Sequence, residues 1–223
     1  GVELLKKVPV AAGIMGSVAG APAAYALMSH FTVMVKEQSQ IFPSGPPVVR
    51  RAIGETLDKE ELGGYKMHVH DSGQVDNVAD TEEEAFEQIK KFISYLPNTT
   101  SDVADRVETG DSPDRRPEEL LSIIPPNRKR SYDPRKLISL VVDNGDFFEM
   151  RRHWAGAVIT GFARLDGYSV GIVGSDPRFL AGAMDGWAAE KYTHFLDLCD
   201  AFNLPVVVFL DMPGSMLGSH AER

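Results

Sequence analysis

Hydrophobic positions in this chain follow two rhythms. Short apolar runs over Val8–Met15, Phe31–Lys36 and Leu204–Leu210 read as buried strands. Between the first two lies Gly16-Ser17-Val18-Ala19-Gly20-Ala21, a turn of very small residues, and then a helix to about Ser29. Strand, helix and strand in that order predict a βαβ crossover. The clearest helical rhythm is Thr81–Leu96, where Phe86, Ile89, Phe92, Ile93 and Leu96 share one stripe. Thr81 and Glu84 have the spacing of a capping box, Glu82 to Glu84 suit the helix dipole, and Pro97 stops it. Ser44 or Gly45 is placed to cap a short helix whose first turn accommodates prolines, and Asp58–Leu62 adds a helical turn closed by Gly63-Gly64.

From Pro97 to about Arg135 the pattern gives way to Pro, Asp, Ser, Thr and Arg, which reads as an interdomain linker over residues 98–132. A second domain opens at Asp133-Pro134, a cap and first helical residue for a helix to about Val142. Ala157–Leu165 and Tyr168–Gly174 are strands joined at Asp166-Gly167, a strong hairpin signal. Ala181-Gly182-Ala183 repeats the small-residue theme before a helix over about Trp187–Phe202. The apolar run from Leu204 then ends in Asp211-Met212-Pro213-Gly214. The two halves share a grammar of apolar strand, small turn and helix, which predicts two domains of one α/β architecture in tandem.

Composition narrows the chemistry. The 223 residues, 43% hydrophobic, suffice for one large or two small domains. A net charge of −9 argues against nucleic acid as a partner. The single cysteine, Cys199, forbids an internal disulfide and fits a reducing, cytoplasmic setting; mid-helix, it reads as a small buried residue. No apolar run has the length of a membrane span, and no signal peptide is visible; because Gly1 opens without a start methionine and the turn Met212–Gly218 has nothing after it to pack, the chain reads as a piece of something longer. No Gly-x-Ser-x-Gly elbow or Walker loop is present. His68 and His70 would share one strand face, a spacing able to hold a metal, but no third ligand lies nearby in sequence; a polar face or substrate contact is the better reading, and no metal is expected. Arg128-Lys129-Arg130 reads as a solvated charge run, with a nucleotide phosphate contact as the weaker alternative. The turn at Gly20 carries the sharpest chemistry. Small residues let a ligand approach the backbone, and the first amides of a helix point outward as free donors able to hold an oxygen that gains negative charge.

Several stretches together resemble the biotin-dependent acyl-CoA carboxyltransferases, the β chains of propionyl-CoA and acetyl-CoA carboxylases and the methylmalonyl-CoA carboxyltransferases. They are Ile14-Met15-Gly16 through Gly20 to Lys36; Glu61-Leu62-Gly63-Gly64 with His68 and Ser72-Gly73; Tyr95-Leu96-Pro97; Val141-Val142-Asp143 with Phe147-Phe148-Glu149; Gly161-Phe162-Ala163-Arg164; Val170–Gly174; and Phe195–Pro205. The resemblance implies two crotonase-like (ClpP/crotonase) ββα superhelix domains, each incomplete here. Residues 1–97 would be the later part of the N-terminal, acyl-CoA-binding domain, and 133–223 the first part of the C-terminal, biotin-binding domain. In the family the active site lies between the N domain of one subunit and the C domain of another.

The resemblance further implies carboxyl transfer from carboxybiotin to the α-carbon of propionyl-CoA or acetyl-CoA, through an enolate held by backbone oxyanion holes. Gly20 and Ala21 match the catalytic turn, which in the family reads Gly-Gly, with Ala19 beside them as a substrate contact. Gly182, Ala183, Pro213 and Gly214 match substrate-binding positions of the second domain, Ala183 as a backbone donor by analogy. Ser215 stands where the family has an aromatic, and the second oxyanion turn would lie beyond Arg223. Implied partners are acyl-CoA, a biotin carboxyl carrier and a biotin carboxylase subunit, in a hexamer. A methylmalonyl-CoA decarboxylase or transcarboxylase subunit, a crotonase-type hydratase or isomerase, and a degenerate scaffold subunit stay open as alternatives.

Overall fold

A computed structural model describes residues 2–127 and 130–218. The chain forms two units, Gly1–Ser94 and Tyr95–Arg223.

The first unit opens with α1 (Val2–Leu5), β1 (Ala11–Ile14), β2 (Ser17–Ala19), α2 (Ala21–Leu27), β3 (Phe31–Val35) and β4 (Gln40–Phe42). It continues through α3 (Pro46–Ile53), α4 (Lys59–Gly63), a π-helical turn (Lys66–Asp71), β5 (Asn77–Ala79) and α5 (Glu82–Ser94). Strands β1, β3 and β5 form a parallel sheet with β3 in the centre. All five residues of β3 are buried, which is why its sequence is apolar on both faces. The expected strand–helix–strand crossover is β1–α2–β3, but a further strand, β2, occupies part of the segment read as a turn and pairs in parallel with β4. On the sheet, Phe92 of α5 stacks on Phe31 with ring centres 4.9 Å apart.

Phe86 and Ile93 are exposed, because α5 turns Ala85 and Phe92 inward and leaves the other flank of the expected stripe in solvent. His68 and His70 do not share a strand face. They lie in the π-helical turn, which buries His68 and leaves His70 exposed. The cap of α5 also differs in detail: Thr81 Oγ1 accepts from the Glu84 amide (3.1 Å), while Glu84 Oε2 accepts from Asp80 N (2.8 Å), one residue earlier than a capping box requires.

The second unit contains α6 (Pro134–Val141), β6 (Phe148–Met150), β7 (Val158–Leu165), β8 (Tyr168–Ser175), α7 (Gly186–Ala201) and β9 (Val206–Phe209), with short 3-10 turns at Glu118–Leu121, Asp143–Gly145 and Leu180–Gly182. The sheet order is β6-β7-β8-β9, antiparallel except for the parallel pair β8–β9. The hairpin turns at Asp166 and Gly167, both left-handed, as a two-residue primed turn requires. Asp143 secures that turn by accepting from the Asp166 amide (3.0 Å) and the Gly167 amide (2.7 Å). Asp133 caps α6 and Asp185 caps α7, each accepting a backbone amide of the first turn. Cys199 is buried in α7, and burial pushes its thiol up to about 12.

Strand β9 is not the fully buried strand its apolar sequence suggests. Among the described residues it pairs with β8 alone, at the sheet edge, and Val208 and the following Leu210 are exposed. Residues 100–115 run along this unit: the Asn203 side chain donates to Thr100 O (2.8 Å), Val107 N to Gly167 O (3.1 Å), and Arg115 to the carbonyls of Leu140 (2.9 Å) and Val142 (2.8 Å). Arg128 and Lys129 of the basic run lie outside the described residues. No helix among the described residues is long and apolar enough to cross a membrane.

Candidate functional site

In the first unit, the sequence-derived residues Ala19, Gly20 and Ala21 form the exposed junction between β2 and α2. Gly20 has φ 71° and ψ −139°, a region open only to glycine, and this lets the chain leave the β2–β4 ladder and enter α2 at once. The hydrogen-bond accounting at this turn is specific. Gly20 N donates to Phe42 O of β4 (3.2 Å), so it is spent on the ladder. The Gly20 carbonyl accepts from Ala23 N (3.0 Å) and Ala24 N (3.3 Å), and Pro22 has no N–H to offer. Ala21 N–H, at the first position of α2, is a donor for which the helix itself supplies no acceptor.

Strand β4, which takes up the Gly20 amide, is fixed from its other edge. His68 is buried, and its Nε2 lies 2.7 Å from Ile41 O. A carbonyl only accepts, so the ring carries its proton on Nε2. Burial lowers the pKa of His68, opposed by the bond to Ile41 and by the Gln74 side chain, so the ring stays neutral. Helix α4 presses on the same carbonyl: a Cβ at Gly63 would lie 2.2 Å from Ile41 O. The Asp58 capping box anchors that helix.

In the second unit, the structure brings Gly182 and Ala183 together with Pro213 and Gly214. Both loops follow the carboxyl ends of β8 and β9, the end at which open parallel strands place their ligands. Met184 N donates to Gly214 O (3.1 Å) and Met216 N to Met184 O (2.8 Å), with Ser215 bridged to Met184. The loops touch so closely that a Cβ at Gly182 would lie 2.7 Å from Asp211 O. Leu180, Ala181 and Gly182 are three successive left-handed residues, and the bulky Leu180 marks local strain. The Ala183 amide donates inward to Leu180 O (3.0 Å).

Beneath these loops lies an ion network that the sequence did not announce. Asp176 is fully buried and accepts from Arg135 (2.6 Å) and Arg178 (2.8 Å), and Arg135 forks onto Glu149. Burial alone would raise the Asp176 pKa, but the bonds from Arg178 and Arg135 outweigh it and hold the carboxylate ionised. Tyr132 is pushed up to about 12, by burial and by its bond to Asp211, which ties residue 132 to the end of β9. Lys191 of α7, 1% exposed, donates to the carbonyls of Arg151 (2.8 Å) and Trp154 (2.9 Å). Burial pushes its pKa down to about 7. Among the described residues no group of three or more His, Cys, Asp or Glu side chains is placed to hold a metal.

The chain matches the family described as the carboxyl transferase domain over residues 2–223. It is 39% identical over 215 residues to methylmalonyl-CoA decarboxylase subunit alpha of Veillonella parvula, covering 96% of this chain and 42% of that protein. It is 37% identical over 215 residues to the mitochondrial propionyl-CoA carboxylase beta chain of Homo sapiens, covering 96% of this chain and 40% of the relative. The chain therefore spans less than half the length of these curated relatives. Among solved structures, a crystal structure of transcarboxylase 12S superposes with a TM-score of 0.93 at 35% identity, over 99% of this chain and 43% of the other. It is described as a hexamer assembly with methylmalonyl-coenzyme A and methylmalonic acid bound.

Proposed function

The chain belongs to the carboxyl transferase domain family and has its crotonase-like fold, and from that premise we propose that it serves in moving a carboxyl group from biotin to the α-carbon of a short acyl-CoA, propionyl-CoA or acetyl-CoA. In this reading residues 1–97 take the acyl-CoA and residues 133–223 the biotin, with 98–132 between them. The relatives named for propionyl-CoA and methylmalonyl-CoA support the substrate class.

One observation carries the reading: a turn of minimal side chains offers a backbone donor at the start of α2, Ala21 N–H, while Gly20 N–H is taken by Phe42 O and Pro22 has none. A thioester carbonyl reaches the backbone there because Ala19, Gly20 and Ala21 present no bulk. When the α-proton leaves, charge moves onto the thioester oxygen, and a fixed amide dipole stabilises that charge without a titratable side chain. The enolate carbon would then bond the carboxyl carbon as CO2, set free by cleavage of the bond that holds the carboxyl group to the biotin nitrogen, which keeps the electron pair and so can take the α-proton.

Biotin, bound through a carrier partner, supplies the carboxyl group and accepts the α-proton. The second-unit loops fit such a group. Gly182, Ala183, Pro213 and Gly214 offer backbone and small apolar surface, and a Cβ at Gly214 would meet nothing within 4 Å, so a flat ring has room to approach. Ala183 serves there as a wall, its amide being bonded to Leu180. A biotin carboxylase partner, a hexameric assembly and a cytoplasmic setting belong to the same proposal. The methylmalonyl-CoA decarboxylase relative favours a second reading, in which the same site runs in the direction of decarboxylation.

The test is Ala21→Pro in the full-length protein. Proline is tolerated at a first helical position and deletes this one N–H. Loss of an oxyanion donor costs on the order of 10²–10³ in kcat. We expect a loss of that size with the KM for acyl-CoA nearly unchanged; an unaltered kcat would remove the donor assignment.

A further inference from the structure

We propose that His68 is a positioning residue for acyl-CoA chemistry, acting through β4 on the Gly20–Ala21 turn. The inference rests on the reading of Ala21 as the donor to the thioester oxygen. His68 is conspicuous in the sequence as one of two histidines two residues apart, and it does not lie on a strand face.

The path has two hydrogen bonds and one strand residue between them. His68 Nε2–H donates to Ile41 O at 2.7 Å, and the next carbonyl along β4, Phe42 O, accepts Gly20 N–H at 3.2 Å. Successive carbonyls of a strand point to opposite edges. The ring therefore saturates the edge of β4 that faces away from β2, while Phe42 holds the turn on the other edge. Strand β4 is three residues long in a two-stranded sheet, so few ladder bonds of its own fix it. Its placement depends on what lines its outer edge, which is His68 together with the Cβ-free face of Gly63.

The backbone geometry of His68 is itself unusual. Ser72 N donates to Met67 O (2.8 Å), five residues back, which makes this segment π-helical. The extra residue in the turn rotates His68 inward while His70 stays exposed, and such π segments concentrate at functional sites. A neutral imidazole with its proton on Nε2 is the form this role needs, and His68 is buried in that form.

The experiment uses the full-length protein and biotin-dependent decarboxylation of methylmalonyl-CoA or malonyl-CoA, with His68→Met, His68→Gln and Ala21→Pro compared. Methionine keeps the volume and removes the donor; glutamine places an amide N–H at a similar reach. Misplacement of a reacting group by about 1 Å costs on the order of 100-fold. We expect His68→Met to lower kcat by about 10- to 100-fold with little change in the KM for acyl-CoA, in an oligomer of unchanged size and unfolding midpoint. We expect His68→Gln to restore most of that loss.

Retained kcat in His68→Met, or a rise in KM alone, overturns the proposal. So does a His68→Gln variant as slow as His68→Met, because the hydrogen bond would then not be what matters. If His68→Met fails to assemble, the glutamine variant decides by its kcat relative to wild type. Full activity in Ala21→Pro would sink the underlying donor reading and this inference with it. Loss in Ala21→Pro alongside an active His68→Met sinks this inference alone.

Discussion

Lys191 is buried, with Glu149, Asp176, Arg135 and Arg151 acting on it, and its burial outweighs these charges and gives a defined pH dependence. Its folded pKa of about 7 lies below the 10.5 of the open chain. Between those values the unfolded chain holds a proton that the folded chain does not, so stability rises with pH across that window, and the burial penalty is present in full below it. The expected slope from this residue is up to about 1.4 kcal/mol per pH unit. Denaturant unfolding of wild type and Lys191→Met between pH 7.5 and 9.5 checks it. The wild type should gain on the variant as pH rises, and a constant difference would refute the assignment. At this scale the sequence marks candidate site residues but not their bonding. Gly20 and Ala21 are conspicuous as small residues, yet Gly20 N–H is spent on Phe42, more than twenty positions away, and no local pattern reports that. The Arg135–Asp176–Arg178 network is hidden for a related reason: Arg135 lies far from Asp176 in sequence, and the local pair Asp176 and Arg178 reads as charged surface.

Elements held by local chemistry were legible. Asp58, Asp133 and Asp185 each cap a helix with a side-chain bond two or three residues ahead, and Asp166-Gly167 makes its hairpin from its own backbone preference. Elements held by distant neighbours were not. Strands β2, β4, β5 and β6 are three residues each, too short to show an alternation, and exist because a partner strand is present. The π-helical turn at Lys66–Asp71 read as a strand because Val69 between two polar histidines mimics a period of two. Gly63 shows how tightly α4 fits β4. A methyl group there meets the Ile41 carbonyl, a backbone atom that cannot swing away. Gly63→Ala should therefore destabilise the first unit by about 1–3 kcal/mol and lower kcat through β4. The comparison is with Gly54→Ala, where a Cβ meets nothing within 4 Å and the cost is left-handed strain alone. Equal thermal stability of Gly63→Ala and wild type would contradict this packing.

Across the molecule, one unit of construction recurs. A parallel strand pair joined through a helix appears as β1–α2–β3 in the first unit and as β8–α7–β9 in the second, the repetition that the two halves of the sequence suggested. What the sequence did not convey is that the polar residues 100–115 are held within the second unit by backbone carbonyls and by two arginines, Arg106 and Arg115. Composition signals a linker, while hydrogen bonding gives the segment a fixed course. Arg115 is the anchor of that course, and Arg115→Ala should expose residues 105–115 to faster amide exchange while leaving the β7–β8 hairpin protected.

The central claim is biotin-dependent carboxyl transfer involving acyl-CoA, and one measurement addresses it directly. The full-length protein is incubated with methylmalonyl-CoA or malonyl-CoA, with and without free biotin, and the decarboxylated acyl-CoA is followed. The expected result is product formation that depends on biotin and saturates with acyl-CoA. An intact oligomer that forms no product with either substrate, or forms it equally well without biotin, would contradict it.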